Sequence, residues 1–140
     1  MSILSGVRDF IASCPYLKDS SAIHIDRTAD TPVSYAVLPK GEQTLAQYLD
    51  GSAKMQYAFL LQVRELTETD VQRLENNAFF EAFSGWLSQQ AQSKLFPSIG
   101  LDKIPTGLAC ENAALLADGA AEGNGVYQIE CRLYYTQAVG

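Results

Sequence analysis

The stretch "GVYQIECRLYYTQ", residues 125–137, limits what this chain can fold into more than any other segment. Tyr127, Ile129, Cys131, Leu133 and Tyr135 alternate with Gln128, Glu130, Arg132 and Tyr134. A period of two places successive side chains on opposite faces of a strand. One face is therefore built for a core, and the other is polar but carries a tyrosine. A run of about ten residues reaches roughly 33 Å, longer than the usual strand. It reads as a scaffold or an assembly element and contains no catalytic motif.

The first segment is the clearest helix. Ile3, Leu4, Val7, Phe10, Ile11 and Cys14 fall on one stripe about 120° wide at helical spacing, with Ser2 placed to cap the helix and Pro15 to end it. "AIHID" and "VSYAVLP" alternate as two short strands around a turn-like "RTADTP". Next come "TLAQYL" and "SAKMQYAFLLQVRE", joined by Asp50-Gly51, a pair that favours a type I′ hairpin turn because both central residues need positive φ. Met55, Tyr57, Phe59, Leu61 and Val63 share one face of the second strand. Ala58 and Leu60 on the other face mark it as partly covered on both sides, in the middle of a sheet.

Thr69 and Gln72 have capping-box spacing and open a second helical region. Val71, Leu74 and Ala78 lie nearly opposite Phe79, Phe80, Phe83, Trp86 and Leu87 on an ideal helix. A straight helix would expose one set, so the pattern predicts a break at Asn76-Asn77. "QSKLFPSIGLDKIPTG" (92–107) reads as a loop with more apolar residues than a solvated connection needs. "LACENAALLADG" then reads as a strand and "AAEGNG" as a turn before the final strand. The expected fold is α+β: one domain over 1–140, with a mainly antiparallel sheet of five or six strands and helices packed on one face.

A chain of 140 residues can bury one sizeable core. Its net charge of −6, from sixteen acidic residues against ten Lys and Arg, leaves no basic stripe for phosphates, so sequence-specific nucleic-acid binding is not expected. With no apolar run of membrane-spanning length and no signal-peptide pattern at "MSILSGVRDFIASC", the protein is expected to be soluble and intracellular when made. Cys14, Cys110 and Cys131 are widely spaced and odd in number, which argues against a disulfide framework and against structural zinc. Cys14 and Cys131 fall on apolar faces and read as core.

The residues that could carry chemistry do not converge. His24, the only histidine, shares the outward face of its strand with Asp26, but the spacing supplies no third ligand or nucleophile. Cys110-Glu111 with His24 could form a thiol and base, yet no local signature accompanies them. "DGAAEGNG" (Gly119, Gly123, Gly125) superficially resembles a phosphate loop, but it lacks the following Lys-Ser/Thr and leads into a strand. Phe79, Phe83 and Trp86 could line a pocket, although aromatics at helical spacing usually form core. No catalytic residue, cofactor or metal is expected.

Taken in order, "FIASCPYLKD", "IHIDRTADTPVSYAVLP", "LAQYLDGSAKMQYAFLLQVRE", "NNAFFEAFSGWLSQQ" and "VYQIECRLYYTQ" resemble a family of small structural proteins. These are encoded in siphophage and prophage tail-assembly regions of Gram-positive bacteria and are called minor capsid proteins. The similarity runs over nearly the whole chain, and its most characteristic parts are the Asp-Gly-Ser hairpin, the Phe-Phe…Trp helix and the terminal Tyr/Gln strand. It implies a virion protein of the tail or neck, made in the bacterial cytoplasm, and most closely a tail terminator that forms a ring on the end of the tail tube. A hexamer is the expected ring, with tail tube and neck or connector proteins as partners, no membrane, and DNA passing through. Head-completion or stopper proteins of the same neck are the near alternative. The distant one is a small intracellular enzyme or ligand-binding domain with a pocket beside Trp86.

The family has no active site to transfer, so the candidate residues are interfacial. Leu95, Phe96, Ile99, Leu101 and Ile104 would form an apolar contact within "KLFPSIGLDKI". Gln128, Arg132 and Tyr134 lie on the polar face of the last strand. The terminal strand or its hairpin, over 108–137, is expected to offer unpaired backbone groups to a neighbour in a head-to-tail ring. An acidic lining would repel DNA phosphates over roughly a Debye length of 8–10 Å.

Overall fold

The computed structural model describes residues 2–17, 23–25, 34–66, 70–111, 114–119 and 124–139. Their elements run α1 (Ile3–Ala12), β1 (Ile23–Ile25), β2 (Ser34–Gln47), β3 (Ala53–Leu66), α2 (Asp70–Gln92), β4 (Lys103–Cys110), β5 (Ala114–Gly119) and β6 (Asn124–Gln137). The fold is α+β. Strands β2, β3, β6 and β4 lie side by side and antiparallel in that order. The short β1 adds in parallel to the outer edge of β2, from Ile23 beside Tyr35 to Ile25 beside Val37. β5 pairs with the first half of β6, on the edge whose second half is taken by β4.

Alternation decides which face is buried. Tyr57, Phe59, Leu61 and Val63 of β3 pair with Leu133, Cys131, Ile129 and Tyr127 of β6, and all eight are buried. Helices α1 and α2 cover this one face through Val7, Ile11, Phe80, Phe83, Trp86 and Leu87. α1 forms as its stripe predicts: Ser2 accepts a hydrogen bond from the Ser5 amide at 3.0 Å, Ser5 returns one, and the helix ends at Ser13. The central position expected for β3 is also found, between β2 and β6.

Several expectations need correction. α2 runs unbroken through Asn76 and Asn77 for 23 residues. The aromatic side supplies the burial, while the opposing residue Ala78 is exposed and too small to require cover. The side chains of 71–76, and Thr69 with its proposed capping box, lie outside the described residues. α2 stops at a Schellman arrangement: Leu95 donates to the Gln90 carbonyl at 2.9 Å, Lys94 donates to Ala91, and Lys94 adopts φ 57°.

"VSYAVLP" and "TLAQ" belong to one strand, because β2 absorbs the Pro39-Lys40-Gly41 interruption as a bulge. In the turn after β2 only Gly51 has positive φ, at 92°. With Gly51 donating to Tyr48 O and Tyr48 donating to Ser52 O, it is a three-residue loop closed by a left-handed glycine, not a type I′ turn. Part of the expected loop 92–107 is strand: β4 begins at Lys103, also with a bulge between Pro105 and Gly107.

The last correction concerns the terminal strand. β6 is hydrogen-bonded to β3 along its whole length and to β4 and β5 on its other side, so it has no open edge to offer. Among the described residues, the unpaired edges of the sheet belong to β1 with the rest of β2 on one side and to β4 with β5 on the other.

Candidate functional site

The face of the sheet away from the helices is crossed by charge. Lys40, the extra residue of the β2 bulge, reaches over β3 to the Glu130 carboxylate. The small Ala58 lines the same hollow as Lys40, Glu130 and Arg132. Arg132 bonds Glu130 at 3.0 Å and Glu111 at 2.5 Å. The row therefore reads Lys40, Glu130, Arg132, Glu111, alternating in sign from the β2 edge to the β4 edge. Gln62 donates to Gln128 at 3.1 Å beside it. Tyr134 lies against Gly107, where a side chain would sit 3.5 Å from its ring.

The hydrogen bond from Lys40 holds the Glu130 carboxyl below its ordinary range, with Arg132 acting the same way. Glu111 and Glu130 raise Arg132 in turn. A carboxyl lowered in the folded state contributes stability above its unfolded value of about 4.3, and loses it as pH falls through the lower folded value. Urea midpoints measured across this acid range should fall with pH, and Glu130→Gln should flatten that fall. An unchanged pH slope in the variant would show that the row contributes nothing to folding.

The second feature is an apolar end of the sheet. Leu45, Tyr48, Leu49, Leu101, Ile104 and Val139 are all exposed, Leu49 and Leu101 fully. Three chain segments meet there. The Gly51 turn lies against Val139, Ala138 donates to Asp102 O at 2.8 Å, and Gln137 Nε2 bonds the Asp102 carboxylate at 2.8 Å. That last bond is the main reason the Asp102 carboxyl is lowered.

The residues expected at an interface are divided between these surfaces and the core. Leu95, Leu101 and Ile104 are exposed, and Phe96 is half-buried. Ile99 is only 2% exposed and packs in the chain's own core, beside the buried Pro97, so Ile99 is not available to a neighbour. Gln128, Arg132 and Tyr134 lie together on the charged face. Leu45, Tyr48, Leu49 and Val139 were missed by sequence reasoning. Leucines flanking a glycine turn were the available signal, because the tip of a hairpin has little core to enter.

A groove of about 540 Å³ lies along α2, lined by Asn77, Glu81, Ser84, Gly85, Ser88 and Glu111 over a floor of Phe80 and Ile129. At its margin Ser84 Oγ and Cys110 Sγ are 2.9 Å apart. Burial pushes the Cys131 thiol well up and raises Cys14 as well, which suits core packing and disfavours thiolate. Phe83 and Trp86 are core residues rather than pocket walls. Gly119 pairs with Asn124 and Asp118 with Gly125, so "DGAAEGNG" joins antiparallel strands. Residues 120–123, Asp26 and the His24 side chain lie outside the described residues.

Among the described residues no three His, Cys, Asp or Glu side chains come together as a metal site, and no helix is long and apolar enough to cross a membrane. Neither a scan against protein-family models nor a search of curated proteins gives a match.

Proposed function

We propose that this chain is a structural subunit of a phage or prophage virion at the head–tail junction: a tail terminator that closes into a ring on the tail tube. The sequence resemblance motivates the reading. The observation that carries it is the exposed apolar end of the sheet, where six large side chains from three segments stand in water. A monomer leaves single apolar residues exposed, whereas a contiguous group marks an interaction surface. The ring would present Tyr48, Leu49, Leu101 and Val139 of this end to the tail tube or a neck protein, with DNA passing through its centre. The four antiparallel strands β2, β3, β6 and β4, backed by two helices, would supply a rigid ring segment.

Electron microscopy of particles assembled without this protein tests the proposal. Tails of irregular length with unfinished ends are the expected result. Tails of normal length that fail to join heads would move the chain to the stopper position, and normal joined particles would remove it from the neck altogether.

A further inference from the structure

We propose that copies of this chain join edge to edge, the β2 edge of one copy lying antiparallel beside the β4 edge of the next. This inference deepens the ring reading and rests on it for the fact of self-association. Among the described residues, β1 covers β2 only from Tyr35 to Val37, and nothing pairs with β2 beyond that point or with the outer side of β4.

Three features make these edges fit each other. Strand direction alternates across β2, β3, β6 and β4, so a next copy in the same orientation brings its β2 antiparallel to β4. The two open stretches also lie at the same height. Gln47 aligns through Ala53 and Gln137 with Lys103, and Gly41 aligns through Ala58 and Arg132 with Ala109. Copies related by rotation without axial displacement close into a ring, whereas an offset would build a filament.

The side chains match at both ends of this stretch. The charged row has its cation, Lys40, at the β2 edge and its anion, Glu111, at the β4 edge, each about half exposed. Glu111 bonds the Glu130 backbone and is level, through Leu60, with Leu38, two residues before Lys40, so the next copy's long Lys40 side chain reaches Glu111 on the same face and continues the alternation. Further along, Ala46 aligns through Lys54 and Thr136 with Ile104, and the exposed Leu45, the extra residue of a second β2 bulge between Thr44 and Ala46, comes beside that position, next to the exposed Ile104 of the adjoining copy.

Each edge also carries a Pro-x-Gly bulge, Pro39-Lys40-Gly41 and Pro105-Thr106-Gly107. Proline withholds an amide and a bulge bends the strand, which blunts indiscriminate pairing. Register is then set by the matched side chains rather than by a uniform backbone ladder.

Cysteine crosslinking of the full chain tests this. Within one copy Leu45 and Ile104 are on opposite edges, three strand spacings or about 14 Å apart, too far for a disulfide. Oxidised Leu45→Cys/Ile104→Cys protein should give a reducible ladder of covalent oligomers, while each single variant and the parent chain remain uncrosslinked. Covalent dimers from either single variant would indicate a two-fold contact and overturn the proposal. Oligomers seen by sedimentation but absent from the ladder would overturn the edge contact and leave the ring reading standing. A chain that neither sediments as an oligomer nor crosslinks at high concentration would overturn both. Independently, Ile104→Glu should weaken association by about tenfold or more, and adding Leu45→Lys should restore it. Failure of that rescue would overturn the pairing of these two positions.

Discussion

Phe83→Ala is expected to lose about 3–5 kcal/mol of folding stability, the usual cost of emptying a fully buried aromatic site. Phe83 has no exposed surface, and its ring lies 6.1 Å from Phe79 and 6.0 Å from Trp86. Through Trp86 the cluster reaches Phe10 of α1 at 5.2 Å, so it joins both helices as well as docking α2 on the sheet. Stability of a small domain is only about 5–15 kcal/mol, and a loss of this size leaves a marginal fold or none. Urea denaturation followed by circular dichroism measures it. Leu101→Ala is the control: that side chain is fully exposed, and its removal should change stability by less than about 0.5 kcal/mol. Equal midpoints for the two variants would mean that the aromatic face is not the joint between helix and sheet.

The same contrast between periodic burial and local punctuation explains what was legible in the sequence. α1, β3 and β6 were read correctly because each buries one uninterrupted face, and period reports burial directly. Where proline and glycine interrupt the period, the reading failed. Pro39-Lys40-Gly41 divided β2, and Pro105 with Gly107 concealed β4 inside an apparent loop. Both are edge strands, where a proline whose missing amide faces outward costs no ladder bond and a bulge can take up the extra residue. The predicted break in α2 failed for another reason. It assumed that both apolar sides of the helix need cover, whereas Ala78 stands in water without much penalty.

The charged row and the apolar end of the sheet were less legible than the core because they depend on register. Arg132 could be placed on an outward face from alternation alone. That it lies between Glu130 and Glu111, in a row begun by Lys40 some ninety positions earlier, follows only from how four strands align. Ile99 shows the converse. In sequence it is one of five apolar residues in a glycine- and proline-containing loop, and only the path of that loop over α1 decides that it turns inward while Leu95 and Leu101 turn outward.

That path makes Gly6 a sensitive position in α1. Alanine in place of a helical glycine normally stabilises by about 1 kcal/mol. At Gly6 the added methyl would stand 2.0 Å from the Ser98 carbonyl oxygen and 3.1 Å from its carbon, both backbone atoms, so no rotamer change relieves the overlap. The loop must lift by more than 1 Å, taking the buried Pro97 and Ile99 with it. Overpacking of this kind costs about 1–3 kcal/mol, and partial loss of Ile99 burial adds about 1–2 kcal/mol, so the clash outweighs the helix propensity. Gly6→Ala should therefore destabilise by about 1–4 kcal/mol once the propensity gain is subtracted. Gly85→Ala makes the opposite case within the same protein: it is helical and exposed, with nothing within 4 Å of an added methyl, and should gain about 0.5–1 kcal/mol. The two substitutions are chemically identical, so the difference between their denaturation midpoints isolates the contact between helix and loop. Gains of similar size at both positions would mean that residues 97–99 do not rest on α1, and the inward placement of Ile99 would fail with that contact.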